Sequence, residues 1–193
     1  MGAHAGLTVD RITQAAAVLA DEVGIEKVTI SALAREFGVR DASFYSHVKN
    51  LQEIRTRVAI LASEEMSERI ATAIAGRSGG DALAAFADAY RQFALEYPGR
   101  YAATQLRLNP ADLAETTAFA RSVELTYAVM RYYGLDEPDL TDAARLLRST
   151  FHGYISIEAT GGFNHPRDVE ASWRQAIKGL HLLLEQWPRT KSV

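Results

Sequence analysis

The chain has 193 residues, of which 48% are hydrophobic and 23% charged, as in an ordinary globular protein of one or two domains. It has no cysteine, which excludes disulfides and thiolate metal sites. Residues 1–6 show neither a basic nor an apolar leader region, and no run of apolar residues is long enough to span a bilayer. We therefore expect a cytoplasmic protein without a membrane segment.

The charge balance gives no indication of a nucleic-acid partner. The net charge is −3, and residues 1–57 contain seven basic and seven acidic side chains, so residues 58–193 carry the whole excess. DNA-binding domains are commonly basic. A function on DNA must therefore be argued from a motif.

Helix-forming patterns dominate the first third of the chain. Thr8 can cap a first helix, whose apolar positions recur at helical spacing until Gly24 ends it. A second helix is predicted to begin at Thr29 or Ser31 and to end at Gly38. The next two helices are predicted at about 40–48 and 51–75.

Proline and glycine divide the remainder into further helices. The stretch 76–80 is a glycine- and serine-rich break, and Thr141 is a possible cap for the helix that follows Pro138. These helices are predicted at about 81–96, 99–108, 110–133, 139–161 and 167–187. Because no alternating apolar pattern typical of strands occurs, the sequence predicts an all-α fold.

Residues 29–48 have the spacing of a helix-turn-helix, with the turn at Gly38. In this motif the first helix crosses the DNA backbone and the second enters the major groove. Phe44 and Val48 are four positions apart and are predicted to face inward. Tyr45 then points elsewhere, where its hydroxyl can meet a phosphate.

Residues 7 to about 58 resemble the N-terminal domain of TetR-type repressors. The matching positions are Leu7-Thr8, Ile12, Ala15-Ala16, Gly24-Ile25-Glu26, Val28-Thr29-Ile30, Leu33-Ala34, Phe37-Gly38-Val39 and Ser43-Phe44-Tyr45-Ser46-His47-Val48. The resemblance implies a homodimeric repressor that binds a palindromic operator in double-stranded DNA and is released by a small molecule. It also implies a DNA-binding domain at 7–55 with three helices, a connecting helix and hinge at 56–80, and a larger helical ligand-binding and dimerisation domain at 81–193.

By analogy with this family, nine residues are expected to contact DNA. They are Thr29, Ser31, Arg40, Asp41, Ala42, Ser43, Tyr45, His47 and Lys49. The four that open the recognition helix, residues 40–43, are the expected base readers, since arginine favours guanine and aspartate can accept from cytosine. Thr29, Tyr45, His47 and Lys49 are expected to contact phosphates or to support the groove edge.

Structural roles are open for several of these residues. Thr29 can be a simple N-cap, Tyr45 a half-buried aromatic that packs against the first helix, and the pair Arg40–Asp41 a solvated ion pair. The chain also departs from the family at Leu51, where a lysine is common. Either Lys49 takes over that phosphate contact or the contact is absent.

Aromatic residues recur along the helices of residues 81–187. In most helical domains such residues form the core, but the resemblance implies a ligand cavity among them. Ligand pockets are mostly apolar with a few orienting polar groups. The expected lining residues are Tyr90, Phe93, Tyr101, Gln105, Tyr127 and His152.

The segment Phe151-His152-Gly153-Tyr154, followed by Glu158 and by Gly161-Gly162-Phe163, resembles a C-terminal module of one branch of the family, called WHG, with phenylalanine in place of the usual tryptophan. His152 can serve as a pocket group, a dimer contact or a core residue. The last two helices carry long apolar faces that a partner is expected to cover. The expected dimer interface comprises Gly153, Tyr154, Ile177, Leu180 and Leu184.

Three other functions are compatible with a helical protein: an enzyme, an activator and a purely structural bundle. The five histidines show no metal-ligand spacing, and the chain has no GxSxG or P-loop motif. We therefore expect no catalysis, no metal and no cofactor. An activator would have the same DNA-binding motif, whereas failure to bind any DNA would favour the structural bundle.

Overall fold

A computed structural model describes residues 7–114 and 116–190, and within them the chain forms helices and no strands. The predicted all-α fold is confirmed. The α-helices are α1 (Val9–Val23), α2 (Ile30–Phe37), α3 (Asp41–Phe44), α4 (Leu51–Ile74), α5 (Gly79–Glu96), α6 (Pro98–Thr104), α7 (Pro110–Ala114), α8 (Ala118–Met130), α9 (Asp139–Ala159) and α10 (Val169–Glu185). Short 3-10 turns occupy Ile25–Lys27 and Arg131–Tyr133.

Local capping explains where the early helices begin and end. The hydroxyl of Thr8 accepts a hydrogen bond from the Arg11 N–H at the start of α1. Gly24, with φ of 90°, ends α1 in a backbone conformation that is costly for other residues. These are the cap and the stop that the sequence predicted.

Five predicted boundaries are wrong, and one is that of the helix expected at about 99–108, which ends at Thr104. The recognition helix is one turn, Asp41–Phe44, and a non-helical turn replaces the rest of the predicted 40–48. The predicted helix 110–133 is divided into α7 and α8, and the Thr116 hydroxyl accepts from the Ala118 N–H at the new start. Thr141 lies inside α9, which begins at Asp139 directly after Pro138. Gly79 already belongs to α5, so the break after α4 is shorter than the predicted stretch 76–80.

The chain packs as two compact units. Among the described residues, unit 1 comprises 7–65 together with 96–114 and 116–119, and unit 2 comprises 66–95 together with 120–190. Helix α6 packs on α1 within unit 1, although the sequence assigned it to the domain 81–193. The division at residues 55 and 80 stays a prediction about domains.

Unit 1 is built around one apolar cluster in which Ile12, Leu33, Phe44 and Ile54 have no exposed surface. Helix α6 approaches α1 very closely, since a Cβ atom placed on Gly99 would lie 1.9 Å from the Ala20 carbonyl oxygen. Glycine at this position therefore permits the packing of α6 on α1.

Unit 2 combines aromatic packing with a buried ion-pair network. The Phe151 ring lies 6.1 Å from Phe86 and 5.6 Å from Trp173. Arg91 on α5 is only 9% exposed and donates to Glu158 on α9 and to Glu170 on α10. Three helices are thus held together by directional bonds in addition to apolar contacts.

Replacing Gly99 with alanine should destabilise the protein by about 3 kcal/mol, because the added methyl group meets backbone rather than a side chain that can move. Urea unfolding at pH 7 measures this loss. Pro98→Ala, an exposed position at the start of the same helix, is the control and should change stability by no more than about 0.5 kcal/mol. Equal stability of the Gly99→Ala variant and the unmodified protein would contradict the close packing of α6 on α1.

Candidate nucleic-acid interface

The first half of the interface is α2 and the turn that follows it. Thr29 is exposed and its hydroxyl accepts from the Ala32 N–H, so it caps α2. Gly38 has a left-handed backbone with φ of 65°, and the Val39 N–H donates to the Ala34 carbonyl at 3.0 Å. This arrangement ends α2 and reverses the chain toward α3.

Two buried side chains anchor the recognition segment 40–49. Phe44 and Val48 are buried, as predicted, and the Phe37 ring packs edge-on against Phe44 at 5.9 Å. The N–H groups of His47 and Val48 both donate to the Phe44 carbonyl. The segment is therefore held by burial and local bonds although its helix has only one turn.

The remaining residues of the recognition segment are exposed. They are Arg40, Asp41, Ala42, Ser43, Tyr45, Ser46, His47 and Lys49. Tyr45 is 58% exposed, which excludes the interpretation of a half-buried aromatic packed on α1. Hydroxyl, carboxylate, imidazole, ammonium and guanidinium groups of this segment are thus available to a partner.

Asp41 has a specific bond to the supporting helix. Its carboxylate accepts from the Ser31 hydroxyl on α2, and this segment shows no salt bridge between Arg40 and Asp41. The ion-pair interpretation of these two residues is therefore not supported. One carboxylate oxygen of Asp41 is engaged with Ser31, and the residue as a whole is exposed.

Sequence reasoning missed Glu53, which connects the recognition segment to α4. Its carboxylate accepts from the Lys49 N–H at 2.7 Å and from the Arg57 guanidinium, while Asn50 accepts from the Glu53 N–H. The spacing Asn50-x-x-Glu53 is that of a capping box and could have revealed the arrangement. Burial raises the pKa of Glu53, but the bonds from Lys49 and Arg57 outweigh it and hold this pKa below its ordinary value.

Leu51, at the departure from the family pattern, has a structural role. It is half-buried and packs against the apolar cluster of unit 1. Lys49, two residues earlier, is exposed with its backbone N–H held by Glu53. This fits the alternative in which Lys49 supplies the phosphate contact.

Comparison with known proteins agrees with this geometry. Residues 12–55 match the family model of bacterial regulatory proteins of the tetR family, and residues 83–180 match that of the tetracyclin repressor-like C-terminal domain. The chain belongs to the TetR family. It is accordingly a DNA-binding transcription regulator and not an enzyme.

Two relatives extend over most of the chain. An uncharacterized HTH-type transcriptional regulator of Bacillus subtilis, YobS, is 31% identical over 92% of this chain and 93% of its own. Another, Rv0681 of Mycobacterium tuberculosis, is 34% identical over 81% of this chain and 72% of its own. The family resemblance found in the sequence is confirmed.

Solved structures share the fold at low identity. A protein of unknown function from Rhodococcus sp. RHA1 superposes with a TM-score of 0.74 at 19% identity, covering 94% of this chain and 98% of its own. A TetR variant from Acinetobacter baumannii, in complex with minocycline, superposes with a TM-score of 0.67 at 18% identity, covering 96% of this chain and 100% of its own. These likenesses show the fold of a TetR protein.

The six predicted ligand residues lie in several environments. Tyr90 and Phe93 are buried in the core of unit 2, where Tyr127 is half-buried and His152 exposed. The other two, Tyr101 and Gln105, belong to unit 1. Exposure of His152 argues against its being a core residue.

The described part of unit 2 also has a cavity of about 420 Å³ between the end of α4, the start of α5 and the end of α8. None of the six predicted ligand residues lines it.

The predicted dimer residues divide in the same way. Ile177 and Leu184 are buried within the protomer, so they cannot present their side chains to a partner. Gly153, Tyr154 and Leu180 are partly exposed, and the Tyr154 hydroxyl donates to the Val169 carbonyl. The exposed apolar side chains of these two helices are instead Ile157, Leu182 and Leu183.

No helix in residues 7–114 and 116–190 is long and apolar enough to cross a bilayer.

Glu53→Ala should lower the free energy of unfolding by about 1 kcal/mol at pH 7, since it removes a helix cap. Glu53→Gln keeps an acceptor but removes the charge. Because the folded pKa of Glu53 is lowered, its stabilisation is present above the unfolded value of 4.5 and is lost as the pH falls through the folded pKa. Urea unfolding between pH 7 and 3 should show that the free energy of unfolding falls less on acidification in Glu53→Gln than in the unmodified protein.

Glu36→Gln, an exposed position on α2, is the matched control. Its free energy of unfolding should fall on acidification by as much as that of the unmodified protein. If Glu53→Gln and the unmodified protein lose stability in parallel as the pH falls, the electrostatic contribution of Glu53 is refuted.

Proposed function

We propose that this TetR protein is a repressor that binds a palindromic operator as a homodimer and is released by a small molecule. The observation that supports it most is the exposed recognition segment 40–49, anchored from beneath by Phe44 and Val48. A helix-turn-helix with this display has a polar surface that fits the major groove.

The base readers that we propose are residues 40–43. Arg40 precedes α3 and its exposed guanidinium suits the two acceptors of guanine. The free carboxylate oxygen of Asp41 can accept from a cytosine amino group while Ser31 fixes the side chain. Ala42 and Ser43, both exposed, complete this set with a methyl and a hydroxyl group.

Phosphate contacts are proposed for Thr29, Tyr45, His47 and Lys49. All four side chains are exposed and carry a hydrogen-bond donor. Thr29 both caps α2 and offers its hydroxyl to the backbone of DNA, so its two interpretations are compatible. These contacts fix the register on the duplex but read no sequence.

Dimerisation is proposed through the exposed residues of α9 and α10. Leu182 and Leu183 are 58% and 41% exposed, and a Cβ atom on Gly153 or Gly179 would meet nothing within 4 Å. Exposed leucines beside glycines suit close packing of helices from a second copy. A two-fold dimer would present two recognition segments to a palindrome.

Release by a small molecule is proposed from the family's architecture. A neighbour of the same fold is described in complex with minocycline. A ligand shifts the protein from its DNA-bound state only through unequal affinity for the two states. An effector should therefore bind the free dimer more tightly than the operator complex.

The operator can be found by selecting bound duplexes from a random DNA pool. On the selected duplex, Tyr45→Phe should weaken binding about fivefold, because it removes one hydrogen bond to phosphate while keeping the ring. Tyr132→Phe is the matched control, since Tyr132 is 55% exposed, belongs to unit 2 and should leave affinity unchanged. Fluorescence anisotropy measures both.

A palindrome enriched by the unmodified protein and lost with the double variant Ser43→Ala, Tyr45→Ala would support the proposed reader. Absence of any enriched motif, with circular dichroism showing a folded protein, would refute DNA reading by this segment.

Charge placed on the proposed dimer surface should dissociate the dimer. Leu182→Glu combined with Leu183→Glu would bury carboxylates between two copies, and we expect sedimentation velocity to show monomers at micromolar concentration. Val123→Glu introduces a single carboxylate at an apolar position of α8 that is 51% exposed and should leave the dimer intact. Dissociation by both changes, or by neither, would contradict the proposed interface.

A further inference from the structure

The cavity of unit 2 has a chemical character that the proposed function does not use. Its apolar lining includes Ile74 from α4 and Val129 from α8, and its volume of about 420 Å³ lies within the range of small-ligand pockets. Two arginines, Arg77 and Arg131, also line it. The lining thus combines apolar side chains with two exposed guanidinium groups.

Arg77 and Arg131 differ in their pairing from the arginines that have structural roles. Arg91 and Arg100 each bind two carboxylates at 2.6–3.1 Å. Within the described residues, Arg77 and Arg131 have no carboxylate within salt-bridge distance of 4.0 Å and no side-chain hydrogen bond. Two unpaired guanidiniums on one cavity form a site of positive charge in a chain whose net charge is −3.

A third wall of the cavity is the aromatic ring of Tyr132. A Cβ atom on Gly79 would lie 3.0 Å from the Tyr132 ring, so the bare backbone of Gly79 is what lets the ring lie against α5. The Tyr133 ring packs edge-on against Tyr132 at 5.2 Å, and the Tyr133 hydroxyl is bonded to His181 Nδ1 at 3.0 Å. The tyrosine wall is therefore positioned by neighbours of its own unit.

We propose that this cavity binds a small organic carboxylate, with Arg77 and Arg131 holding the carboxylate and the apolar lining and Tyr132 covering the organic body. Guanidinium groups bind carboxylates through paired, charge-assisted hydrogen bonds. The exposed Ser78 hydroxyl adds a further donor at the rim. The inference goes beyond the proposed function, which leaves the chemistry of the small molecule open, and its test requires no DNA.

Binding of 4-fluorobenzoate, followed by fluorine NMR on the full chain, tests the proposal. The probe has one carboxylate on one ring, and 4-fluorobenzamide has the same shape without the charge. We expect benzoate to bind at least about tenfold more tightly than benzamide. Inorganic phosphate should compete weakly, because it lacks an apolar body.

Arg77→Gln and Arg131→Gln, singly and together, should each weaken benzoate binding about tenfold or more. Both arginines are exposed, so these variants should fold, which circular dichroism verifies. Arg121→Gln, an exposed arginine on α8 outside the cavity, should bind benzoate like the unmodified protein. Amide shifts on benzoate addition should centre on Ser78, Gly79 and Val129.

Three results would overturn the proposal. They are equal binding of benzamide and benzoate, undiminished benzoate binding by the double arginine variant, and absence of benzoate binding by the folded protein. Amide shifts centred elsewhere in the chain would likewise exclude this cavity as the site.

Discussion

The display of the recognition segment depends on the burial of Phe44. An isolated helix of four residues is not stable in water, since nucleating the first turn fixes several dihedral angles for a single hydrogen bond. Phe44 has no exposed surface and packs against Phe37 on the preceding helix, and Val48 is buried one turn later. The free energy that holds α3 in place therefore comes from the core of unit 1 and not from helix propensity.

The ends of the segment are fixed by different means. Before α3, the left-handed Gly38 and the bond from Val39 to Ala34 set the direction of the chain. After it, Glu53 holds the Lys49 backbone and is itself held by Arg57. A DNA reader built in this way has little freedom of its own, so affinity for DNA and stability of unit 1 should change together when these contacts are altered.

Unit 2 depends on a buried cation. Arg91 lies over the Trp173 ring at 5.4 Å and binds Glu158 and Glu170, and Trp173 also donates to Asp88. The hydrogen bonds that Arg91 donates to Glu158 are the largest cause that raises the pKa of Arg91, so this guanidinium stays charged. Taking these groups out of water is costly, and removing one partner would leave an uncompensated charge. The network therefore specifies how α5, α9 and α10 meet more than it adds net stability.

Several local features were predictable from the sequence, although the expected cap Thr141 lies inside α9. The caps at Thr8 and Thr29 and the stops at Gly24 and Gly38 depend on residues three or four positions away, so spacing alone reveals them.

The lengths of short helices and the choice between core and surface depend on distant contacts. Ile177 and Leu182 are both apolar residues of α10, yet the first is buried within the protomer and the second is exposed. Periodicity cannot tell a face covered by the same chain from one left for a partner. The approach of Arg77 and Arg131 to one cavity, across 54 positions of sequence, is invisible to any local pattern.

Electrostatics near the recognition segment limits how this protein can hold DNA. Arg55 is paired with Glu26, and Arg57 with Glu53, so two of the seven basic residues in 1–57 are already neutralised within the protein. Arg40 and Lys49 are exposed at the two ends of the segment. Each phosphate neutralised by a protein cation releases counterions and steepens the salt dependence of binding. With two exposed cations in the recognition segment, binding should depend weakly on salt, and selectivity should come from the contacts of residues 40–43 with base edges, including that of the Arg40 guanidinium.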